Sequence, residues 1–94
     1  MLFAVLCYDK EDSQSVRVDN RPNHLKYLNS YLDEIHTAGP ILGCDSETPI
    51  GSLLILDFDT EADVRSFIES DPYNEAGLFK TITIHPWRKV FPVT

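Results

Sequence analysis

Apolar positions along the chain follow two periods, one of about two residues and one of three to four. Residues 2–8 are apolar throughout and read as a strand, with Leu2, Ala4, Leu6 and Tyr8 on one face and Phe3, Val5 and Cys7 on the other. A polar connection runs from Asp9 to Asn20, with room for one helical turn at 15–18. A first helix is expected from Arg21-Pro22-Asn23-His24, because Leu25, Leu28, Leu32 and Ile35 fall in steps of three and four. Pro22 suits a first turn, where its missing N–H would have no partner anyway. Periodicity carries this helix to Asp33 or Glu34, while residues 35–38 score equally as its last turn or the start of a second strand. Gly39-Pro40 ends any helix, and residues 45–49 form a loop by composition. Residues 52–58 are the clearest strand. Asp59-Thr60-Glu61 then starts a second helix with Ala62, Val64, Phe67 and Ile68 on one face, stopped by Asp71-Pro72. A short turn at 74–77, a last strand at 78–85 and a tail from Pro86 complete the pattern.

The order β-α-β-β-α-β predicts a ferredoxin-like α+β domain, with an antiparallel sheet and both helices on one side. The first and third strands are apolar on both faces, yet the helices cover only one. A lone chain would leave a broad apolar patch in water, so a homodimer joined through the open sheet face is expected.

The 94 residues make one domain, spanning 1–94, and 43% hydrophobic content supports a single core. A net charge of −7 opposes binding to nucleic acid or to an anionic membrane surface. No apolar run approaches the roughly 18 residues that cross a bilayer. The opening residues lack a basic segment and read as strand rather than signal peptide. Cys7 and Cys44 have no metal-site spacing and no export signal accompanies them, so reduced thiols, no metal and a cytoplasmic location are expected. No phosphate loop, GxSxG, HExxH or calcium-loop pattern is present, and no cofactor is implied.

Chemistry is left to few side chains. His24 lies roughly 60° from the middle of its helix's apolar stripe at about 100° per residue, which places it on the flank of the buried face. An imidazole ordinarily ionises near pH ~6.5 and can give or take a proton there; the plain alternative is a boundary histidine bonded to a backbone carbonyl. Asp71, before Pro72, either caps the turn that follows or fixes the tautomer of His24 through one ring nitrogen, leaving the other for a substrate. Arg17 and Arg21 suit a small anion through charge-assisted bonds, or they pair with local acids such as Asp12 or Asp19. Ser52 is a hydrogen-bond donor for a pocket wall. Tyr8 either points into a cleft or closes the core.

Taken together, Tyr8-Asp9-Lys10, the Arg17…Arg21-x-x-His24-Leu25 spacing, Thr37-Ala38-Gly39-Pro40, Gly51-Ser52, Asp71-Pro72-Tyr73 with Ala76-Gly77, and Pro86-Trp87-Arg88-Lys89-Val90-Phe91 resemble the YciI-like (YCII-related) family over nearly the whole chain. The resemblance implies a dimeric α/β barrel with a cleft in each subunit where His24 and Asp71 meet. Arg17, Arg21, Gly39-Pro40 and Ser52 also match, and a second strand starting near Ile35 is favoured. The stretch between Leu32 and Gly39 and the loop at 42–50 are short for the family. The function expected on this basis is cofactor-independent acid–base chemistry, of isomerase or lyase type, on a small anionic substrate, rings included. A binding module that captures a small acid without turnover is the alternative, and a purely structural dimer is third.

Overall fold

The computed structural model describes residues 1–93. Four strands and three helices follow in the order β1 (Leu2–Asp9), α1 (Gln14–Asn29), β2 (Ile35–Leu42), β3 (Pro49–Asp57), α2 (Glu61–Glu69), α3 (Pro72–Glu75) and β4 (Phe79–Trp87). The strands form one antiparallel sheet in the spatial order β2-β3-β1-β4. This is the ferredoxin-like arrangement, the fold of dimeric α/β barrels, with the apolar β1 and β3 at the centre.

Register sorts the side chains into two layers. Phe3, Val5 and Cys7 of β1 stand opposite Leu56, Leu54 and Ser52 of β3, and on the other side opposite Pro86, Ile84 and Ile82 of β4. This layer faces the helices and joins Val64, Phe67, Ile68, Tyr73 and Leu78 in the core. The alternate positions, Leu2, Ala4, Leu6 and Tyr8 with Leu53 and Ile55, lie on the uncovered face.

The second helix forms as its pattern dictates, except that Ala62, expected on its apolar face, is exposed. Thr60 accepts a hydrogen bond from the Asp63 N–H at 3.1 Å, and the Val64, Phe67 and Ile68 side chains are buried.

The first helix departs from expectation at both ends and on its buried face. It begins at Gln14, two turns before Pro22, so the proline lies in its interior. It ends at Asn29, and turns over residues 30–34 lead into β2 at Ile35, which is the strand option rather than the longer helix. The leucine stripe meets the core only in part: Leu28 and Ile35 pack against it, Leu25 and Leu32 are exposed, and the buried residues of α1 are Arg17 and His24. These two are one heptad apart and therefore share a face within about 20°. Apolar periodicity misread the helix because its inward side looks onto a cavity and carries polar groups.

Candidate functional site

Between α1, the edge of β2, β3 and the start of α3 lies a cavity of about 300 Å³, at the lower limit of ligand pockets. From α1 it receives Arg17, Arg21, His24 and Leu28, spaced four, three and four along one helical face. Ala38, Gly39 and Pro40 of β2, Ser52 and Leu54 of β3, and Tyr73 of α3 complete most of the wall.

His24 is 8% exposed and Asp71 only 1%. The Nδ1 of His24 lies 2.8 Å from Oδ1 and 3.0 Å from Oδ2 of Asp71. Oδ1 also accepts the backbone N–H of Tyr73 at 2.9 Å, which caps α3. One carboxylate thus performs both tasks that the sequence offered as alternatives. Where the carboxylate is ionised it can only accept, so Nδ1 carries the hydrogen, and in the neutral ring Nε2 is then the acceptor. No side chain or backbone group of the described residues bonds Nε2, and no buried side-chain nitrogen or oxygen lacks a partner. Nε2 therefore opens to the cavity that His24 lines.

The ring is held in its plane as well. Tyr73 stacks on it with centroids 3.8 Å apart and planes 12° from parallel. Burial raises the Tyr73 phenol above its ordinary pKa, against the pull of Arg17 and Arg21, so it stays a neutral hydroxyl.

Arg17 sits where neither of its expected local acids reaches. Its Nε donates to Asp9 Oδ2 at 2.8 Å and its Nη2 to Asp9 Oδ1 at 2.9 Å, a two-pronged pair with both side chains under 10% exposed. Burial disfavours the guanidinium charge, but the bonds to Asp9 and its charge outweigh that and raise the Arg17 pKa. Nη2 also donates to Ser52 Oγ at 3.1 Å, and the guanidinium carbon lies 4.8 Å from the Tyr73 ring centre. Arg21 lines the cavity from an exposed position and forms no ion pair among the described residues.

Four of the six candidate residues, His24, Arg17, Arg21 and Ser52, line the cavity, and a fifth, Asp71, stands behind His24 and bonds it. Tyr8 does neither: it lies on the opposite, uncovered face of β1, 44% exposed, because strand alternation pairs its side with Gly51 rather than with the helices. Two residues of the site had not been singled out. Asp9 ends β1 with its carboxylate turned to the helix, and Tyr73 follows the capping aspartate. Their only sequence signals were an acid at the end of an apolar strand and an aromatic next to Asp71-Pro72.

A model of the YCII-related domain matches residues 1–88. The chain belongs to the YCII-related family. It is 35% identical over 98 residues to Protein YciI of Escherichia coli O6:H1, covering 97% of this chain and all of that protein. A Haemophilus influenzae protein described only as uncharacterized is 30% identical over the same span. Among solved structures, this YCII-related chain superposes with a TM-score of 0.88 and 37% identity on 5-chloro-2-hydroxyhydroquinone dehydrochlorinase (TftG) from Burkholderia phenoliruptrix AC1100, in complex with 2,5-dihydroxybenzoquinone, over 94% of both chains. A Nitrosomonas europaea protein described as an antibiotic biosynthesis monooxygenase, 14% identical with a TM-score of 0.54, shares the fold alone. Among the described residues no helix is long and apolar enough to cross a membrane, and no cluster of three potential metal ligands occurs.

Proposed function

We propose that this chain is an acid–base enzyme of the lyase or isomerase type acting on a small hydroxylated ring, with His24 as proton acceptor and Asp71 as the residue that positions it. The observation that carries the reading is the imidazole tethered at Nδ1 by a buried carboxylate, with Nε2 open to a single-ring-sized cavity. The likeness to a dehydrochlorinase solved with a dihydroxybenzoquinone supports the substrate class.

The chemistry needs only protons moved in order. Nε2 takes the proton of one ring hydroxyl, and the oxygen's electron pair enters the ring. Return of that proton to a ring carbon gives the keto tautomer, where an isomerase would stop. If that carbon bears a leaving group, loss of a second hydroxyl proton expels it with its bonding pair and releases a quinone. Atoms and electrons balance without an oxidant, so the reading calls for no cofactor. As the proton arrives, the imidazolium forms against Asp71, whose charge compensates it inside the protein.

The working unit of this reading is a homodimer built across the uncovered sheet face, and its location is cytoplasmic. Arg21 on the rim favours a second reading, in which the cavity holds a small acid without turning it over. Both are tested by supplying chlorinated hydroxyhydroquinone and following chloride release and quinone absorbance. His24→Ala is expected to lower the rate by about 10²- to 10⁴-fold while the far-ultraviolet circular dichroism stays native. Full activity in that variant overturns His24 as the proton acceptor, and a ligand recovered unchanged from the wild type supports the binding module.

A further inference from the structure

The Asp9–Arg17–Ser52 chain has a direction. Arg17 Nη2 donates to the Ser52 oxygen, so that oxygen accepts and its own hydrogen must point elsewhere. No acceptor within the described residues takes it. Ser52 is 6% exposed and lines the cavity, which leaves the cavity as the place where its O–H can donate. A hydroxyl that receives a bond from a cation is polarised and becomes a stronger donor.

Charge bookkeeping around the cavity narrows what that donor meets. The positive charge of Arg17 is already balanced by Asp9 at 2.8 and 2.9 Å, while Asp71 is a second buried carboxylate facing a histidine. With the imidazole neutral, the buried groups alone are left one negative charge in excess, which Arg21 offsets only from its exposed position. A carboxylate entering that depth would add a second uncompensated charge in a poorly solvated place, which is costly. A neutral hydroxylated ring adds none. Its anion appears only as His24 becomes positive, and the new negative charge then has the Ser52 hydroxyl to receive it.

We propose that Ser52 is the oxyanion donor of this site, polarised by Arg17, and that the ligand is a neutral ring with two oxygen functions, one at His24 Nε2 and one at Ser52. Arg17 and Asp9 are positioning residues that act through Ser52 and do not touch the ligand. Carboxylates bind at the rim, at Arg21. The inference rests on the acid–base reading for its substrate class but concerns a different residue.

The test uses 4-nitrophenol, whose ionisation is visible by absorbance, with benzoate as the carboxylate comparison. It is run in His24→Gln protein so that loss of the base cannot explain the result. At pH 5, where 4-nitrophenol is neutral and benzoate is charged, bound 4-nitrophenol is expected to lose at least tenfold in affinity when Ser52→Ala is added, while benzoate affinity is unchanged by Ser52→Ala and falls with Arg21→Gln. Arg17→Lys, which keeps the charge but loses the fork, is expected to weaken 4-nitrophenol to a similar extent in the presence of Ser52 and not at all in its absence. In the wild type, without any substitution at Ser52, the bound phenol is expected to ionise at least one pH unit lower than in solution. Equal 4-nitrophenol affinity with and without Ser52, a matching loss for benzoate, or no binding of 4-nitrophenol to the wild type at millimolar concentration each overturns the proposal. Chloride release in the wild type would still stand on its own in any of these cases.

Discussion

Cys7 lies on the helix-facing side of β1, across the strand pair from Ser52 and within the field of the cavity's charges. A thiol in such a place invites a nucleophilic role. Its surroundings forbid one: burial pushes the Cys7 pKa up to about 12, and the negative charges of Asp71 and Asp9 add to the shift while Arg17 opposes it. The thiol stays protonated at any working pH, and the proposed proton transfer is left to His24. Cys44 is exposed. Iodoacetamide at pH 8 is therefore expected to add one group to the native protein, at Cys44, and two after unfolding in guanidinium, as read by mass spectrometry of the peptides. Alkylation of Cys7 in the native state would return the thiol to the list of reactive groups. The same burial explains why Asp71 can hold His24 so firmly. At 1% exposure the carboxylate has no water to turn to, so its two bonds, to the imidazole and to the Tyr73 N–H, are its solvation.

At the scale of elements, α1 is built against its own sequence. Pro22 lies in its interior, where it removes the N–H that would bond the Val18 carbonyl. Two of the residues facing inward are Arg17 and His24, which lower any apolar signal. What keeps the helix is tertiary contact: Val16, Tyr27 and Leu28 pack against the core, Tyr27 donates to the Phe67 carbonyl at 2.7 Å, and Arg17 is pinned by Asp9. Pro22→Ala is accordingly expected to stabilise the protein, by up to about 3 kcal/mol if the bond to Val18 forms fully. Urea unfolding would measure this, and a lower midpoint in the variant would mean that the proline shapes the helix to fit the cavity. Gly51 shows the opposite case, a residue dictated by its neighbour. A Cβ there would collide with the Cys7 carbonyl oxygen, so the register that brings Ser52 to the cavity wall depends on glycine beside it.

Seen as a whole molecule, the sheet is finished on one side and unfinished on the other. Leu6 and Leu53 stand paired at its centre on the uncovered face, flanked by Ala4 and Ile55, and Leu53 is 41% exposed. Trp87 and Tyr8 extend this surface toward opposite ends of β1. A second copy laid sheet to sheet would cover it, as the proposed dimer requires. Leu53→Glu would place a charge in the middle of that contact. Sedimentation is expected to show the wild type as a dimer at micromolar concentration and the variant as a monomer with the same circular dichroism. A wild-type monomer under those conditions would overturn the dimer and require another cover for the face.

Much of this was legible along the chain because it rests on local rules. Strand alternation separated Phe3, Val5 and Cys7 from Leu2, Ala4 and Leu6. Thr60 and the spacing of Val64, Phe67 and Ile68 marked α2. The order of elements left one antiparallel topology. The resemblance, rather than periodicity, placed the start of β2 at Ile35. Tertiary structure alone decided the rest: where α1 begins, which face it buries, that Arg17 answers to Asp9 and Ser52 and that Tyr73 stacks on His24. The physical reason is the same in each case. A polar group inside a protein takes its place from the partners that solvate it, and here Asp71 stands 47 residues from His24 and Ser52 stands 35 from Arg17, while Asp9, in another element, completes the shell of Arg17.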